Sequence, residues 1–564
     1  MNTNFINTGW QNNHTLCYSP PKQWLDSSKI KRIFPPINRN VEKLGFDIYD
    51  FEMLFNDKKT NELIRTGRTI GCFYIESPGM RALLRKLDCH TFEMLTAASS
   101  IIRPGVAESG MMQEFIARHK DPARRNYFIP QLGELLAETY GVMVYQEDVI
   151  KVAHHIAGLS LEEADLLRRA MSGKMRSHEA MKKISDKFFS SCEKQGLTDE
   201  QSIELWRQIE SFAGYSFCKA HSASFALLSY QVAFLKAHYP AEFLASVLSN
   251  GGGFYSAAVY IWEAKRLGLN ILLPSINHSE YEYIGSGKEI RIGLMAIKNL
   301  SYNSAQKIIL ERKRNGDYKS LADFLVRTKI GFEETSILIK CGAMGCFKKT
   351  RPELLRLLDI YVHKRKLLDE NYNDLFLNES FHLENEIKTH QNFSVEEICK
   401  VEFETFGYMV TKHPLYFFKE FVDDKSITKA NQLPIKTGKY VKMIGWFMTS
   451  KRVRTSKGEI MKFLSLEDLT GTFEAVIFPD VYQKYAEMTL SMGPYLVEGT
   501  VDRNDHNNLI VKKMSILSNV MIKNSIEKDS TENTYFGDVE EFPEIEFDYA
   551  SKIDKNKMLL AYAS

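Results

Sequence analysis

The feature that most constrains the fold is a change in hydrophobic periodicity along the chain. From Phe51 to about Leu248 the apolar residues recur at helical spacing, whereas from Gly438 to about Leu517 they alternate as in half-buried strands. The two patterns cannot share one layer of secondary structure, so they predict separate domains. The 564 residues suffice for roughly three to five domains. We therefore predict a mixed α+β multidomain protein.

Composition narrows the class of protein. The 73 Lys and Arg against 71 Asp and Glu leave a net charge of +2, which argues against a histone-like coat but leaves local basic patches free to bind nucleic acid. No basic start with an apolar run opens the chain, and no apolar stretch approaches a membrane span, so we expect a cytoplasmic protein without membrane contact. The eight cysteines form no CxxC pair, and we predict no metal site.

A predicted helix after Leu159 carries two adjacent arginines. Ser160 and Glu163 have the spacing of a capping box. The predicted buried stripe is Leu161, Ala164, Leu167 and Met171. Arg168 and Arg169 lie about 100° apart on this helix, so at least one projects away from the packed face. Two interpretations stay open: a solvated pair of Asp165 with Arg169, or a paired-arginine clamp on a triphosphate.

A second basic feature precedes the helix that ends near Pro240. Lys219 and His221 lie at its start, with Ser222 as the predicted N-cap. Free amides and basic side chains at a helix start favour an anion, although the residues alone favour a plain helix entry with two exposed basic residues.

Several long motifs resemble the alpha subunit of bacterial DNA polymerase III, a C-family DNA polymerase. They are Gly71–Arg81, Arg103–Gly105, Ser109–Met111, Glu114–Arg118, Tyr140–Glu147, Leu166–Met171, Phe212–His221, Tyr230–Gln231 and Leu235–Phe243. They follow the order and spacing of that family. The resemblance covers roughly residues 45–515.

The resemblance implies a DNA-directed DNA polymerase, a nucleotidyltransferase that extends primers with incoming dNTPs. It implies triphosphate binding at Arg168, Arg169, Lys219 and His221, where fixed cations would stabilise the phosphates. Transfer in this family needs Mg²⁺ on palm aspartates, and their Asp-x-Asp pair is not found in this chain. We therefore predict no catalytic residue here and expect Mg²⁺ to be ligated fully only in the complete family enzyme.

The resemblance and the composition together predict six segments. They are a divergent N-terminal remnant (1–45), a fingers-like helical domain (46–283), a helix-hairpin-helix-like module (284–350), a helical connector with a possible clamp-binding peptide (351–433), an OB-fold (434–520) and an acidic tail (521–564). This arrangement defines the expected fold class: helical fingers, a helix-hairpin-helix module and a C-terminal OB-fold β-barrel.

Two short segments carry further expected contacts. In the hairpin module Lys298 is a candidate DNA-binding residue, although Asn299–Asn303 replaces the glycine-rich hairpin usual in the family. A structural helical domain is an equal alternative. Leu375 and Phe376 stand where the family carries its sliding-clamp peptide, with Tyr372 in place of the usual Gln.

The alternating strands of the C-terminal region predict an OB-fold, which binds single strands through a basic groove and aromatic stacking. Between its first two strands lies a predicted basic hairpin loop, Lys451–Lys457. The candidate DNA-binding residues are Arg452, Arg454, Lys457, Trp446 and Phe463. Either aromatic side chain could instead belong to the barrel core.

The function that fits best is template-directed DNA synthesis in replication or repair, with dNTP, primer-template DNA, single-stranded template, a sliding clamp and other replisome subunits as expected partners. A second hypothesis is a non-catalytic DNA-binding accessory, or a truncated relic without the metal-binding palm. An unrelated ATPase is disfavoured because no GxxxxGK[ST] loop occurs.

Overall fold

The structure is a computed structural model that describes residues 47–102, 110–171, 178–210, 218–365, 391–455 and 457–517. It consists of a helical body followed by a closed five-stranded barrel. The expected mixed α+β fold with an OB-like C-terminal barrel is therefore confirmed. None of the described helices is both long and apolar enough to cross a bilayer.

The first part of the body is helical. Its helices are α1 (Phe51–Asn56), α2 (Lys58–Arg65), α3 (Pro78–Lys86), α4 (Phe92–Ile101), α5 (Met111–Lys120), α6 (Gln131–Leu135), α7 (Gln146–His155), α8 (Leu161–Met171), α9 (His178–Lys194), α10 (Asp199–Glu210), α11 (Lys219–His238), α12 (Pro240–Ser249) and α13 (Ala257–Arg266). Polar side chains fix several of these starts; Ser77, for example, caps α3 one residue before a proline that favours the first helical position.

The long helix α11 organises this part of the body. It packs on α2, α4 and α12. Because it is surrounded by other helices, apolar residues such as Phe225, Tyr230 and Leu235 are buried along its length. Its one deeply buried cation, Lys236, donates to the carbonyl oxygens of Arg68 and Ile70 and to a carboxylate, which satisfies all three of its donors.

The second part of the body adds a small sheet and more helices. The elements are β1 (Asn270–Leu272), β2 (Ile284–Ser286), β3 (Glu289–Arg291), α14 (Tyr302–Asn315), α15 (Leu321–Thr328), α16 (Phe332–Lys340), α17 (Arg351–Arg365), α18 (Val395–Phe406) and α19 (Lys419–Val422). Strand β3 is central, parallel to β1 and antiparallel to β2. Buried residues of α14, α16 and α17 belong to the same apolar cluster as those of α1–α13, so the body has one continuous core.

The barrel follows as β4 (Tyr440–Arg454), β5 (Ile460–Glu467), β6 (Thr472–Ile477), α20 (Pro479–Tyr485), β7 (Tyr495–Val501) and β8 (Asn508–Ile516). The strands close in the order β4-β5-β6-β8-β7, with β6 and β8 parallel. Its interior is a separate apolar core. The pairing of β6 with β8 closes the barrel, so neither strand has an unpaired edge there.

Charged residues of the body fix the barrel in place. Arg266, the last residue of α13, donates to Glu467 of β5 at 2.8 Å. From α3, Arg81 donates to Thr472 at 2.9 Å, and Arg85 pairs with Asp505 at 3.4 Å. All three contacts are half-buried or buried. The barrel therefore has a defined position relative to the helices that carry the candidate site.

Candidate nucleotide and nucleic-acid interface

Helix α8 begins as its sequence predicts. The Ser160 backbone N–H donates to Glu163 Oε2 at 2.9 Å, and the Glu163 N–H donates to Ser160 Oγ at 3.2 Å, which confirms the capping box. Of the predicted stripe, Ala164, Leu167 and Met171 are buried. Leu161 is 61% exposed, so that part of the prediction was wrong: it is the first residue of the helix and lies outside the packed face.

The two arginines of α8 share one carboxylate. Asp165 Oδ1 lies 2.8 Å from Arg168 Nη2, and Asp165 Oδ2 lies 2.7 Å from Arg169 Nε. The hydrogen bond from Arg168 lowers the pKa of Asp165, with the charge of both arginines adding to the effect. The side chain of Arg168 is 24% exposed and that of Arg169 is 61% exposed. The carboxylate thus holds two guanidinium groups side by side near the surface.

The start of α7 connects these arginines to the start of α11. Arg168 Nη1 donates to Gln146 Oε1 at 3.1 Å. The carboxylate of the next residue, Glu147, accepts the backbone N–H of Lys219 at 2.9 and 3.1 Å. Since Gln146 and Glu147 are adjacent in the chain, the arginine pair and Lys219 lie around one helix terminus. Asp148 stabilises this terminus by accepting two backbone N–H groups at 2.9 Å.

The side chain of Lys219 is directed back toward the same region. Its Nζ pairs with the exposed carboxylate of Glu138. It also lies 5.7 Å from the centroid of the Tyr145 ring, within cation–π range. Tyr145 immediately precedes α7. Lys219 therefore contacts residues at or before the start of α7 through both its backbone N–H and its ammonium group.

The start of α11 differs from the prediction. The helix begins at Lys219, with Cys218 in the N-cap position. The expectation that Ser222 is the N-cap is wrong, because its hydroxyl is buried and hydrogen-bonded to Ser100 Oγ at 2.6 Å. His221 lies in the first helical turn, with its ring 4.3 Å from that of Phe225. Its imidazole thus packs on an aromatic side chain of the core.

Three members of the cluster were not identified from the sequence. Gln146, Glu147 and Glu138 contact the predicted cations, but they come from a segment 22 to 81 residues earlier. The available signal was the Tyr140–Glu147 motif, which the resemblance singled out without assigning a role. We call Arg168, Arg169 and Lys219, with their carboxylate and amide partners, the cationic cluster.

The predicted DNA-binding hairpin keeps its turn despite the missing glycines. Asn299 adopts φ 64°, a left-handed conformation that asparagine tolerates better than most residues. Lys298 beside it is exposed, and its backbone N–H donates to Thr405 O at 2.9 Å. Ser301 is the N-cap of the following helix α14, and its backbone N–H donates to Glu334 at 2.8 Å. The turn is therefore formed, while one amide at the helix start is already held by a carboxylate.

On the barrel, the basic residues continue strand β4 instead of forming a loop. Pairing extends through Lys451↔Phe463, Arg452↔Lys462 and Arg454↔Ile460, so the turn comprises only 455–459. The expected loop was wrong in extent because the strand pairing persists to its end. Phe463 is half-buried beside Lys451. Burial, with repulsion from Arg452, lowers the pKa of Lys462 to about 8.

Trp446 lies away from these basic residues. It packs in a cluster with Leu415, Phe418 and Ile444 and lines a narrow cavity together with Trp262. The structure therefore places Trp446 between the barrel and the helical body, which disfavours its prediction as a stacking platform. The candidate single-strand surface is reduced to Phe463 and the exposed cations of the hairpin.

Two sequence predictions fall beyond these observations. Leu375 and Phe376, the predicted clamp-binding pair, lie outside the described residues. Within the described ranges, the structure contains no group of three His, Cys, Asp or Glu side chains placed to hold a metal ion.

Comparison with known proteins agrees with this architecture. The family model of the bacterial DNA polymerase III alpha subunit finger domain matches residues 27–196, and that of a helix-hairpin-helix motif matches residues 268–354. The fold and its modules define a multidomain α+β protein that combines polymerase fingers with a hairpin motif and an OB-like barrel.

Two curated relatives are alpha subunits of DNA polymerase III. That of Aquifex aeolicus (strain VF5) is 34% identical over 470 residues, which are 82% of this chain and 39% of the relative. That of Staphylococcus aureus (strain Mu50 / ATCC 700699) is 33% identical over 493 residues, 86% of this chain and 44% of the relative. The chain spans less than half the length of these relatives. Over most of its own length it is similar to the alpha subunit of DNA polymerase III.

Proposed function

We propose that this chain provides nucleotide binding and primer-template binding for a DNA polymerase acting in replication or repair. The observation that carries the proposal is the cationic cluster, in which Arg168 donates to Gln146 and the backbone N–H of Lys219 donates to the adjacent Glu147. The similarity of most of the chain to polymerase alpha subunits supports the same function.

The cluster has the chemistry to hold a nucleoside triphosphate. Arginine presents planar donors that match phosphate oxygens in pairs, and it stays charged at all relevant pH values. Asp165 and Glu138, which neutralise these cations, are themselves partly exposed. A triphosphate carries more negative charge than either carboxylate and can replace both as partner. The side chains would then orient the phosphates and stabilise charge that develops on them during transfer.

His221 has a narrower role in this proposal. Its ring packs on Phe225, so it is fixed close to Lys219 at the start of α11. It would supply a hydrogen bond to a phosphate oxygen or to the sugar. When bound, Mg²⁺ supplies Lewis-acid chemistry in enzymes of this kind. Because the described residues include no cluster of three metal ligands, no step of the proposal depends on a metal held by them.

The DNA contacts would come from two modules. The exposed Lys298 at the hairpin turn would contact duplex backbone, and Arg452, Arg454 and Lys457 on the barrel would contact single-stranded template. Phe463 would stack a base on the other face of the hairpin, which it shares with Lys451. A sliding clamp and other replisome subunits remain proposed partners, the clamp through Leu375 and Phe376.

Primer extension tests the proposal. The full chain is mixed with a separately purified palm-bearing fragment of a related alpha subunit, a primer-template and dNTPs. We expect Mg²⁺-dependent extension that neither component gives alone and that Arg168→Gln in this chain reduces at least about tenfold. A mixture in which Arg168→Gln extends primers as well as the unchanged chain would refute the role of the cluster.

A second function is favoured by one observation on the barrel. Within the described part of the chain, no carboxylate forms an ion pair with Lys451, Arg452, Arg454 or Lys457 at the end of the β4–β5 hairpin. A chain that binds single strands there, without supporting synthesis, would be a DNA-binding accessory. It would bind DNA with equal affinity in the presence and absence of dNTP, whereas the polymerase function predicts tighter primer-template binding when the matching dNTP is present.

A further inference from the structure

We propose that the acidic segment Asp538–Asp548 of this chain docks on the basic hairpin formed by β4 and β5, where it competes with single-stranded DNA. The competition rests on the single-strand role proposed above for this hairpin, whereas the docking does not. The partner that this surface fits is therefore a segment of the same polypeptide.

The receiving surface is exposed and positively charged. Lys451, Arg452, Arg454 and Lys457 are all exposed. No ion pair to a described carboxylate neutralises them. Ile460 lies opposite Arg454 in the strand pairing and is 39% exposed. The hairpin therefore offers apolar contact next to uncompensated positive charge.

The segment complements this surface in charge and in residue type. Between Asp538 and Asp548 the sequence is DVEEFPEIEFD, with six carboxylates and no Lys or Arg. Residues 518–564 as a whole contain ten Asp and Glu against five Lys and Arg, so the positive excess of the chain lies before them. In an extended peptide, carboxylates two residues apart are separated by about 7 Å.

Aromatic residues strengthen the match. Phe542 and Phe547 stand between the acidic residues. Surfaces that bind single strands combine cations with contacts to flat rings, because nucleic acid alternates negative charge with bases. A peptide that alternates carboxylates with aromatic rings presents the same two chemical groups. Ile460, which lies on the same face of the hairpin as Arg452 and Arg454, supplies an exposed apolar surface against which such a ring can pack.

The chain is long enough for this contact. Ile516 at the end of β8 pairs with Tyr495, which pairs with Gly445 of β4. Arg454 lies further along β4, roughly 30 Å away at 3.3 Å per residue. A stretch of the length from Leu517 to Asp538 can span at most ~70 Å. The hairpin is therefore within reach of the acidic segment.

The first experiment measures the affinity of the full chain for a fluorescent oligo-dT at low salt. The test variant carries Glu540→Gln, Glu541→Gln and Glu544→Gln. The matched control carries Glu527→Gln, Asp529→Asn and Glu532→Gln, an equal charge change in the same tail. We expect the test variant to bind oligo-dT about fivefold more tightly, with the control within about twofold of the unchanged chain. Equal affinities for both variants would overturn the competition.

The second experiment detects docking without DNA. A fluorescent peptide spanning residues 535–550 is added to the full-length test variant. We expect it to bind, and to lose binding when Arg452→Glu, Arg454→Glu and Lys457→Glu are added or when its six acidic residues are amides. Peptide that fails to bind, or that binds equally after the hairpin reversal, overturns the docking.

The two proposals fail separately in these experiments. If hairpin reversal weakens oligo-dT binding while neither the tail variant nor the peptide has an effect, the docking is wrong and the single-strand role stands. If the peptide binds the hairpin but charge reversal of the hairpin leaves the affinity for oligo-dT unchanged, the docking is supported and the proposed single-strand role is wrong.

Discussion

The carboxylate of Asp165 holds the guanidinium groups of Arg168 and Arg169 next to each other at 2.8 and 2.7 Å. Ion pairs of this kind at exposed positions contribute little to stability, because water screens them and side-chain entropy opposes them. The arrangement therefore matters more for where the two cations point than for how firmly the helix folds. A ligand with more negative charge can replace Asp165 as the partner of the two guanidinium groups at a small cost in stability.

Replacing this carboxylate tests that exchange. In Asp165→Asn, the arginines lose their competing charged partner, and we expect dNTP affinity to rise about threefold to tenfold at neutral pH, ~0.7–1.4 kcal/mol. Fluorescence titration with a labelled dNTP measures it. Glu62→Gln is the control, since Glu62 also pairs with an arginine, Arg65, at an exposed position of a helix. A fall in affinity would show that Asp165 orients the arginines for the triphosphate instead.

A second residue gives the barrel a pH dependence. Burial raises the pKa of Glu474 on β6 to about 7, although Ser465, Arg81 and Arg85 act in the opposite direction. An acid whose pKa is higher in the folded state binds more protons there than when unfolded, so stability falls as pH rises from about 4.5 to 7. We expect the melting temperature to fall across this window, and Glu474→Gln to flatten the fall relative to Glu498→Gln.

At the residue scale, the sequence could identify cations but not their partners. Arg168 and Arg169 are adjacent and late in a periodic helix, and the capping box fixes where that helix begins. Gln146 meets Arg168 only because α7 packs on α8. Leu161 was misjudged for a related reason, since periodicity does not show where a packed face ends.

The β4–β5 hairpin shows that strand pairing can determine the structure of a segment that was expected to be a loop. The basic run Lys451–Lys457 was expected in a loop between the first two strands. Strand pairing overrides that local signal as far as Arg454↔Ile460. Successive side chains of a strand point to opposite faces, so Lys451 shares a face with Phe463, while Arg452 shares one with Lys462. The element thus divides the basic run between two surfaces.

Charge reversal along this hairpin is the prediction at this scale. The variant with Arg452→Glu, Arg454→Glu and Lys457→Glu should bind single-stranded DNA at least about tenfold more weakly at low salt. Its salt-dependence slope should drop by about 2 to 3, because fewer phosphates are neutralised. The matched control is Lys439→Glu, Lys512→Glu and Lys513→Glu, exposed positions on the same barrel. Equal losses in both variants would mean that only net charge matters.

The whole molecule is a helical body with one core to which a barrel is fixed by buried charges. Burial alone would raise the pKa of Glu263, but Lys236 and Arg266 hold it at about 2. Arg266 also contacts Glu467 of the barrel, 201 positions further along the chain. No sequence pattern indicates a contact of that range. The fold class was predictable from periodicity, whereas the placement of the barrel was not.

Removing Arg266 tests how the barrel is held. In Arg266→Met, Glu263 loses one of its cationic partners and Glu467 loses its contact with the Arg266 guanidinium group. Leaving a buried charge without its partner lowers the free energy of unfolding by ~3–5 kcal/mol. We expect a lower melting temperature and faster proteolysis in the segment before β4. Adding Glu467→Gln should recover part of the loss. An unchanged melting temperature in Arg266→Met would show that apolar packing alone fixes the barrel.

The cationic cluster remains the centre of the account, and direct triphosphate binding tests it best. A labelled dNTP is titrated into the full chain, into Arg168→Gln/Arg169→Gln, and into the control Arg65→Gln, whose arginine also pairs with exposed carboxylates on a helix. The account predicts that the double variant loses at least about tenfold in affinity, ~1.4 kcal/mol, while the control stays within about twofold. Equal binding by all three proteins would contradict it.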